Sequence, residues 1–265
     1  QVSLGLSTPS SRIDSKKEQV FLMNVEQVDK KDQVRLQAEA SLESFIQLVH
    51  KGRVLGGVHV ELIDWWTRPS AKSHQLVLLP RDHQKSALLA YRCAHQIVKN
   101  PAVRILYISS TANLATKQLK FVKDILTSDI VRFYWPDLVD VDEGKREKWT
   151  ESEIAVDHPK RKAEYIRDPT VFAAGLTTNV AGLHCDIAAL DDVVVQGNAY
   201  TSDGREKTAQ LYSLLASIEG ANAEEWVVGT RYFPTDLYNN LVSMTIDLYD
   251  DFGNIFEYEG VDGFW

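Results

Sequence analysis

Apolar positions along this chain recur with two different periods. From Gln33 to His50 the residues Val34, Ala38, Leu42, Phe45, Ile46 and Val49 fall at three- and four-residue steps, which predicts one amphipathic helix. Gly52, Gly56 and Gly57 end that pattern, and a mixed apolar segment runs from Val58 to Trp66. Trp65 or Trp66 offers a surface on which a base could stack, but core packing is the expected role for such large aromatics. Leu76 to Leu79 is an apolar run that predicts a buried strand. A short polar loop, Pro80 to Gln84, leads into Lys85-Ser86 and a helical pattern that reaches Val98. Val103 to Ser109 predicts a second strand, and Ala112 to Leu126 a second helix with Leu114, Leu119, Val122 and Ile125 turned inward. Residues 129–170 are less regular. Thr170 to Gly175 and Asp186 to Leu190 predict two further strands, the second running into Asp191-Asp192. Asp203, with Glu206 three residues on, resembles a capping box for a helix through about Ser217. Trp226 to Gly229 predicts another strand, closed by Thr230-Arg231, and Thr235 or Asp236 caps a helix carrying Leu237 and Leu241. Strands alternating with helices across short connections predict an α/β fold, a mostly parallel sheet flanked by helices.

The pattern divides the chain into three parts. Residues 1–32 read as an N-terminal arm, Ser-rich to residue 15 and charge-dense enough for a short helix over 16–31. Residues 33–245 read as the main domain. Residues 246–265, acidic and aromatic, read as a tail or linker. The 265 residues, 44% hydrophobic and 25% charged, suit a globular protein. No apolar run approaches the roughly 20 residues that span a bilayer, so no membrane partner is expected. Cys93 and Cys185 are far apart and form no CxxC pair, which suits a reducing, cytoplasmic setting.

A net charge of −8 argues against a broad basic face for nucleic acid. Lys145-Arg146 with Lys148, and Lys160-Arg161-Lys162 with Arg167, are local basic patches and read as solvated loop charge. The DVDEG string, Asp140 to Gly144, lacks the later ligands of a calcium loop and reads as an exposed acidic turn.

The chemistry gathers at strand ends. Strand, loop, Lys-Ser and helix is the layout of a nucleotide phosphate-binding loop, whose consensus is GxxxxGK[ST]. Pro80, Arg81, Asp82, His83, Gln84, Lys85 and Ser86 would form the cradle, but Leu79 and Gln84 stand where the two glycines belong. Glycine permits positive φ and close backbone approach to phosphate, so weaker nucleotide binding is expected than from a glycine-rich loop. Arg81, a fork of donors, and His83 offset part of that loss. Lys85 at a strand-to-helix turn can reach phosphates, helped by the N–H groups and dipole of the helix start. Ser86 and Asp191 are the expected Mg2+ ligands, and Asp192 the group that polarises an attacking water. Lys85, Asp191 and Thr230 all fall at the carboxyl ends of strands, where open α/β sheets gather ligands. ATP and Mg2+ are the expected cofactors. No NKxD-type string for reading guanine is present.

In four stretches the chain resembles the N-terminal ATPase domain of the large terminase subunit of tailed bacteriophages. Pro80 to Ser86 is similar to that family's arginine-containing, often glycine-poor phosphate loop. Tyr107 to Leu126 resembles the strand and helix that follow it, and Ala174 to Val194 a glycine-containing loop running into a strand that ends in Asp-Asp. Val227 to Leu241 looks like the coupling motif with its helix. The match covers roughly residues 40–245. It implies a P-loop NTPase fold (RecA/ASCE-like) and an ATPase that drives double-stranded DNA into a procapsid. It also implies a homo-oligomeric ring on the portal, with portal protein, small terminase subunit and procapsid as partners. The setting would be the host cell cytoplasm rather than the mature virion. Lys85, Arg81 and Asp192 would serve catalysis, Ser86 and Asp191 would hold the metal, and Thr230 would couple hydrolysis to domain motion. Many terminases carry Glu where Asp192 stands. The arginine that such rings supply from a neighbouring subunit would here be Arg161 or Arg167. Too little chain follows the coupling motif for the family's nuclease domain, and Asp247, Asp250 and Asp251 read as surface acids, so no nuclease activity is expected. The alternatives are a helicase-like P-loop translocase and a non-hydrolysing nucleotide-binding module.

Overall fold

The computed structural model describes residues 30–249 and 253–264. Residues 1–29, most of the expected arm, lie outside it, as do Asp250 and Asp251. The strands are β1 (His74–Leu78), β2 (Ile105–Ser109), β3 (Lys148–Trp149), β4 (Glu153–Ala155), β5 (Val171–Gly175), β6 (Cys185–Asp191), β7 (Glu219–Gly229), β8 (Thr245–Tyr249), β9 (Ile255–Gly260) and β10 (Asp262–Phe264). Eight of them form one sheet in the order β10-β1-β7-β6-β2-β5-β4-β3. All its pairings from β10 to β5 are parallel, and β4 and β3 add an antiparallel edge. With β7 inserted between β1 and β6, this is the mostly parallel, helix-flanked α/β fold that the chain's pattern predicts.

The helices are α1 (residues 30–40), α2 (Leu42–Val49), α3 (Gly57–Thr67), α4 (Lys85–Lys99), α5 (Ala112–Leu126), α6 (Asp129–Tyr134), α7 (Pro159–Ala163), α8 (Gln196–Ala199), α9 (Ser202–Ser213) and α10 (Leu237–Val242). Alternate strand residues feed two cores on opposite faces, as the two-residue repeat of a strand requires. Val77, Ile105, Tyr107, Ile187, Ala189, Trp226 and Val228 meet the helices of the first half of the chain. Leu76, Leu106, Ile108, Ala188, Leu190 and Val227 meet the second half, with Leu215, Leu237 and Leu241. Burial on both faces makes the strands read as continuous apolar runs. Trp65 and Trp66 are buried in the first core, as expected for large aromatics.

Four expectations about the helices change. The helix read from Gln33 to His50 is two helices, because Ser41 leaves the helical conformation (φ −136°) and its hydroxyl accepts a hydrogen bond from the Ser44 N–H at 3.2 Å. The mixed segment before β1 is the helix α3, starting at Gly57. Leu114 is 42% exposed rather than inward, lying in the first turn of α5 away from its buried stripe. The cap of α9 is Thr201, whose hydroxyl accepts from Gly204 N–H at 3.1 Å, rather than Asp203.

The stretch read as a tail turns back on the domain. Strands β8 and β9 form an antiparallel hairpin, and β10 pairs with β1 in register Leu76↔Gly263. Phe264 packs against Trp65, with ring centroids 5.8 Å apart. The DVDEG string is an exposed turn in which Asp142 accepts from Gly144 N–H at 3.0 Å. Among the described residues no helix is long and apolar enough to cross a membrane.

Strand β7 starts seven residues before the expected Trp226, because its first part carries acidic rather than apolar residues. Glu225 in that part is 3% exposed and accepts from the Tyr212 hydroxyl at 2.7 Å. Burial first, then the charge of Glu219, pushes the Glu225 carboxyl up from 4.5 to about 8. Burial likewise raises Glu219, and the nearby Cys185 thiol is raised to about 12. The folded protein therefore keeps protons that the unfolded chain sheds above pH 4.5, so this strand's contribution to stability falls as pH rises from 4.5 through about 8. Glu225→Gln, which can still accept from Tyr212, should flatten that slope. Chemical denaturation at pH 5 and pH 9 should show the variant gaining on the wild type at the higher pH by about 1 kcal/mol or more.

Candidate nucleotide site

The parallel register brings four strand ends to one edge. Leu78 lies opposite Gly229, Val228 opposite Asp191, and Asp191 opposite Ser109. The residues just beyond these ends are the phosphate-loop candidates, Thr230 and Asp192. A strand sheet thus does in three dimensions what the spacing along the chain could only suggest.

The loop between β1 and α4 follows the glycine-rich plan without glycine. Leu79 needs none: it continues the strand, its N–H donating to Gly229 O at 3.1 Å and its carbonyl accepting from the Thr230 hydroxyl at 3.1 Å. Gln84 is different. It caps α4 with φ 54° and ψ 18°, the left-handed conformation that favours glycine. Asp82 is also left-handed, at φ 68°. A non-glycine residue there carries a strain of about 1–2 kcal/mol. Gln84 thus adopts the geometry that the sequence expectation reserved for glycine.

Lys85 and Ser86 open α4 and meet the carboxylates at the end of β6. The Ser86 hydroxyl donates to Asp191 Oδ1 at 2.7 Å, and Lys85 Nζ lies 3.2 Å from Asp192 Oδ2. Lys85 is 5% exposed and Asp191 4% exposed. A buried carboxylate is costly unless it is hydrogen-bonded, and Asp191 also accepts from the Tyr107 hydroxyl at 3.0 Å. Burial still dominates and raises the Asp191 carboxyl to about 6, against the lowering effect of Ser86, Tyr107 and Lys85. Burial and the neighbouring Asp191 push the Tyr107 phenol well above its ordinary range, which keeps it a donor.

Asp192 has φ 46°, and Asp enters the left-handed region more easily than a longer side chain does. That supplies a backbone reason for Asp where the resemblance suggests Glu. Its Oδ1 is buried with no hydrogen-bond partner among the described residues.

The remaining candidates lie around this centre. Arg81 is exposed and donates to the Tyr232 hydroxyl at 2.8 Å, a contact that raises the guanidinium further. His83 Nδ1 lies 2.9 Å from Arg81 O. Pro80 and Asp82 are exposed parts of the same loop. Arg161 does not belong to a subunit surface. It is 4% exposed and donates to Val103 O and Asp168 O, a structural role at the opposite end of β2. That corrects its candidacy as an arginine offered to a neighbouring subunit; Arg167 remains exposed.

Four participants escape sequence reading. Tyr107 is two residues from Ser109 and so faces the same side as Asp191, which only the register reveals. Arg53 reaches the site from a distant segment outside any motif, and Tyr232 and Tyr238 lie within the Val227 to Leu241 stretch without its pattern marking them out. Tyr238 explains the glycine that opens Gly229-Thr230-Arg231: a Cβ on Gly229 would lie 2.1 Å from its hydroxyl oxygen. Tyr238 is fully buried and also accepts from Val194 N–H at 3.3 Å, beyond the Asp-Asp pair. Gly229→Ala should therefore force this phenol aside and destabilise the domain by about 1–3 kcal/mol in urea denaturation.

No protein-family model and no curated protein matches the chain. Solved structures do. The HK97 bacteriophage large terminase aligns at 12% identity and a TM-score of 0.48, over 72% of this chain and 36% of its own. The chain thus spans about a third of that protein's length. An arginine-to-alanine mutant of the Thermus phage P74-26 large terminase ATPase domain aligns at 15% identity and 0.47, over 83% of each chain. S. cerevisiae dbp5, in a complex with nup159, gle1, ip6 and adp, aligns at 10% identity and 0.40, over 72% of this chain and 46% of its own. Among solved structures, the chain is similar to the ATPase domains of large terminases.

Proposed function

We propose that this chain is an ATP-hydrolysing motor domain of a viral DNA-packaging terminase, using Mg2+ and moving double-stranded DNA into a procapsid. The observation that carries the nucleotide reading is the junction of α4 with β6. It places an ammonium, a hydroxyl and two carboxylates within hydrogen-bond reach at the carboxyl edge of a parallel sheet. The narrower reading, a terminase rather than another P-loop translocase, is supported by four sequence stretches in the family's order. It implies the homo-oligomeric ring, the portal and small-subunit partners, and the cytoplasmic setting.

The donor set suits Mg2+. The ligands on offer, Ser86 Oγ and Asp191 Oδ1, are hard oxygens already 2.7 Å apart. Among the described residues no group of three or more His, Cys, Asp or Glu forms a metal cage, and Mg2+ at phosphates uses few protein ligands. When bound, the ion supplies charge neutralisation for phosphoryl transfer.

The chain's own groups divide the rest of the work. Lys85 brings a buried cation and the first N–H groups of α4 to the phosphates. Asp192 orients the attacking water and accepts its proton. Its carboxylate rests on Lys85, so the two exchange partners when phosphate takes the ammonium. Arg81, exposed on the loop, adds a guanidinium to the developing charge. Thr230 bonds the carbonyl of Leu79, the residue before the loop, and so links the loop to the coupling segment at 3.1 Å. That contact gives hydrolysis a mechanical path into α10.

Steady-state ATP turnover with Mg2+ tests the reading. Lys85→Ala and Asp192→Asn should each lower kcat by about a hundredfold or more, with Asp192→Asn keeping nucleotide affinity. Equal turnover in wild type and both variants would end the enzyme reading.

A further inference from the structure

The phosphate loop holds a left-handed residue that is not glycine, and an arginine from a remote segment grips its side chain. Gln84, at φ 54°, accepts a hydrogen bond at Oε1 from Arg53 Nη2. Arg53 belongs to the connection between α2 and α3, where the turn at Gly52 (φ 85°) delivers it. It is held at both ends. Gln47 Nε2 donates to its carbonyl at 3.2 Å, and its N–H donates to His50 O at 3.0 Å. Its Nη1 donates to the Tyr91 hydroxyl at 3.3 Å, and its guanidinium carbon stands 5.0 Å over the Tyr91 ring.

Tyr91 makes a rigid anchor. It is a fully buried side chain of α4, set edge-on to Phe121 with centroids 5.1 Å apart, and its hydroxyl lies 2.5 Å from His50 Nδ1. The chain His50–Tyr91–Arg53–Gln84 therefore runs from the body of α4 back to its own N-terminal cap. Lys85 and Ser86 are the next two residues after Gln84, so whatever orients Gln84 orients the first turn that carries them.

We propose that Arg53 is a positioning residue of the phosphate loop, latching Gln84 in the left-handed conformation that a glycine would otherwise allow. The inference rests on the reading of this loop as a phosphate cradle. In this arrangement the strain of a Cβ-bearing residue is offset by a hydrogen bond from a charged donor, which is stronger than a neutral one. The latch also removes the freedom a glycine would keep, so the cradle is pre-shaped before phosphate arrives. A glycine-poor loop then needs a partner outside the motif, which is why the motif alone looks defective.

A double-mutant cycle of Arg53→Ala and Gln84→Gly in the full chain separates this from ordinary packing. Thermal unfolding without nucleotide and equilibrium titration with a non-hydrolysable ATP analogue and Mg2+ are read on all four proteins. Arg53→Ala alone should lower the melting temperature and weaken nucleotide affinity by about three- to tenfold. In the Gln84→Gly background the same change should alter affinity by less than about twofold and melting by less than half as much. Arg53→Lys, which keeps a charged donor, should recover part of both losses. Equal effects of Arg53→Ala in the two backgrounds, or no effect in either, would overturn the latch. The melting cycle uses no nucleotide. If no protein in the set binds the analogue, the nucleotide reading fails while the coupling between Arg53 and Gln84 is still decided.

Discussion

The structure turns on one junction, the contact between the first turn of α4 and the end of β6. Two ionisable groups, Lys85 and Asp191, are almost completely buried there. Burial of charge is tolerated only with partners, and each partner comes from a different part of the chain. Ser86 and Tyr107 satisfy Asp191, while Asp192 faces Lys85. The parallel register of β2, β6 and β7 sets these distances, and the two apolar cores on either face hold the register. Losing that register would leave two buried charges without compensation. The fold and the site are therefore stabilised by the same contacts.

A second constraint acts on the backbone. Gln84 and Asp192, facing each other's segments across the junction, both occupy the left-handed region. For Asp192 the short side chain makes this tolerable. For Gln84 a remote arginine is engaged. Where glycine is absent from the loop, it is present at Gly229 for a different reason, the approach of Tyr238. Close packing beneath Gly229-Thr230-Arg231 and left-handed turns around the loop from Pro80 to Gln84 are thus separate demands that share one small volume.

Much of this was legible in the chain. The strands β1, β2, β5 and β6 and the helices α4 and α5 fall close to their expected positions, since long apolar runs with short polar breaks leave little ambiguity. Lys85, Ser86, Asp191 and Asp192 were legible as candidates because polar residues at strand ends interrupt apolar runs. Their convergence was not, since it depends on the sheet order. The acidic half of β7 hid its strand, because neighbouring strands and Tyr212 supply what Glu225 lacks in hydrophobicity. Arg53 was invisible for a related reason: its meaning lies in the φ of a residue 31 positions away. Ser41 could pass for a helical residue because its neighbours keep the period while its own backbone departs from it.

The most direct test of the junction as a nucleotide-metal site is the Mg2+ dependence of ATP-analogue binding, measured by titration calorimetry with and without the ion. The account predicts that Mg2+ tightens binding to the wild type, and that Ser86→Ala and Asp191→Ala each abolish this increment while the metal-free affinity persists. An increment of unchanged size in both variants would contradict it.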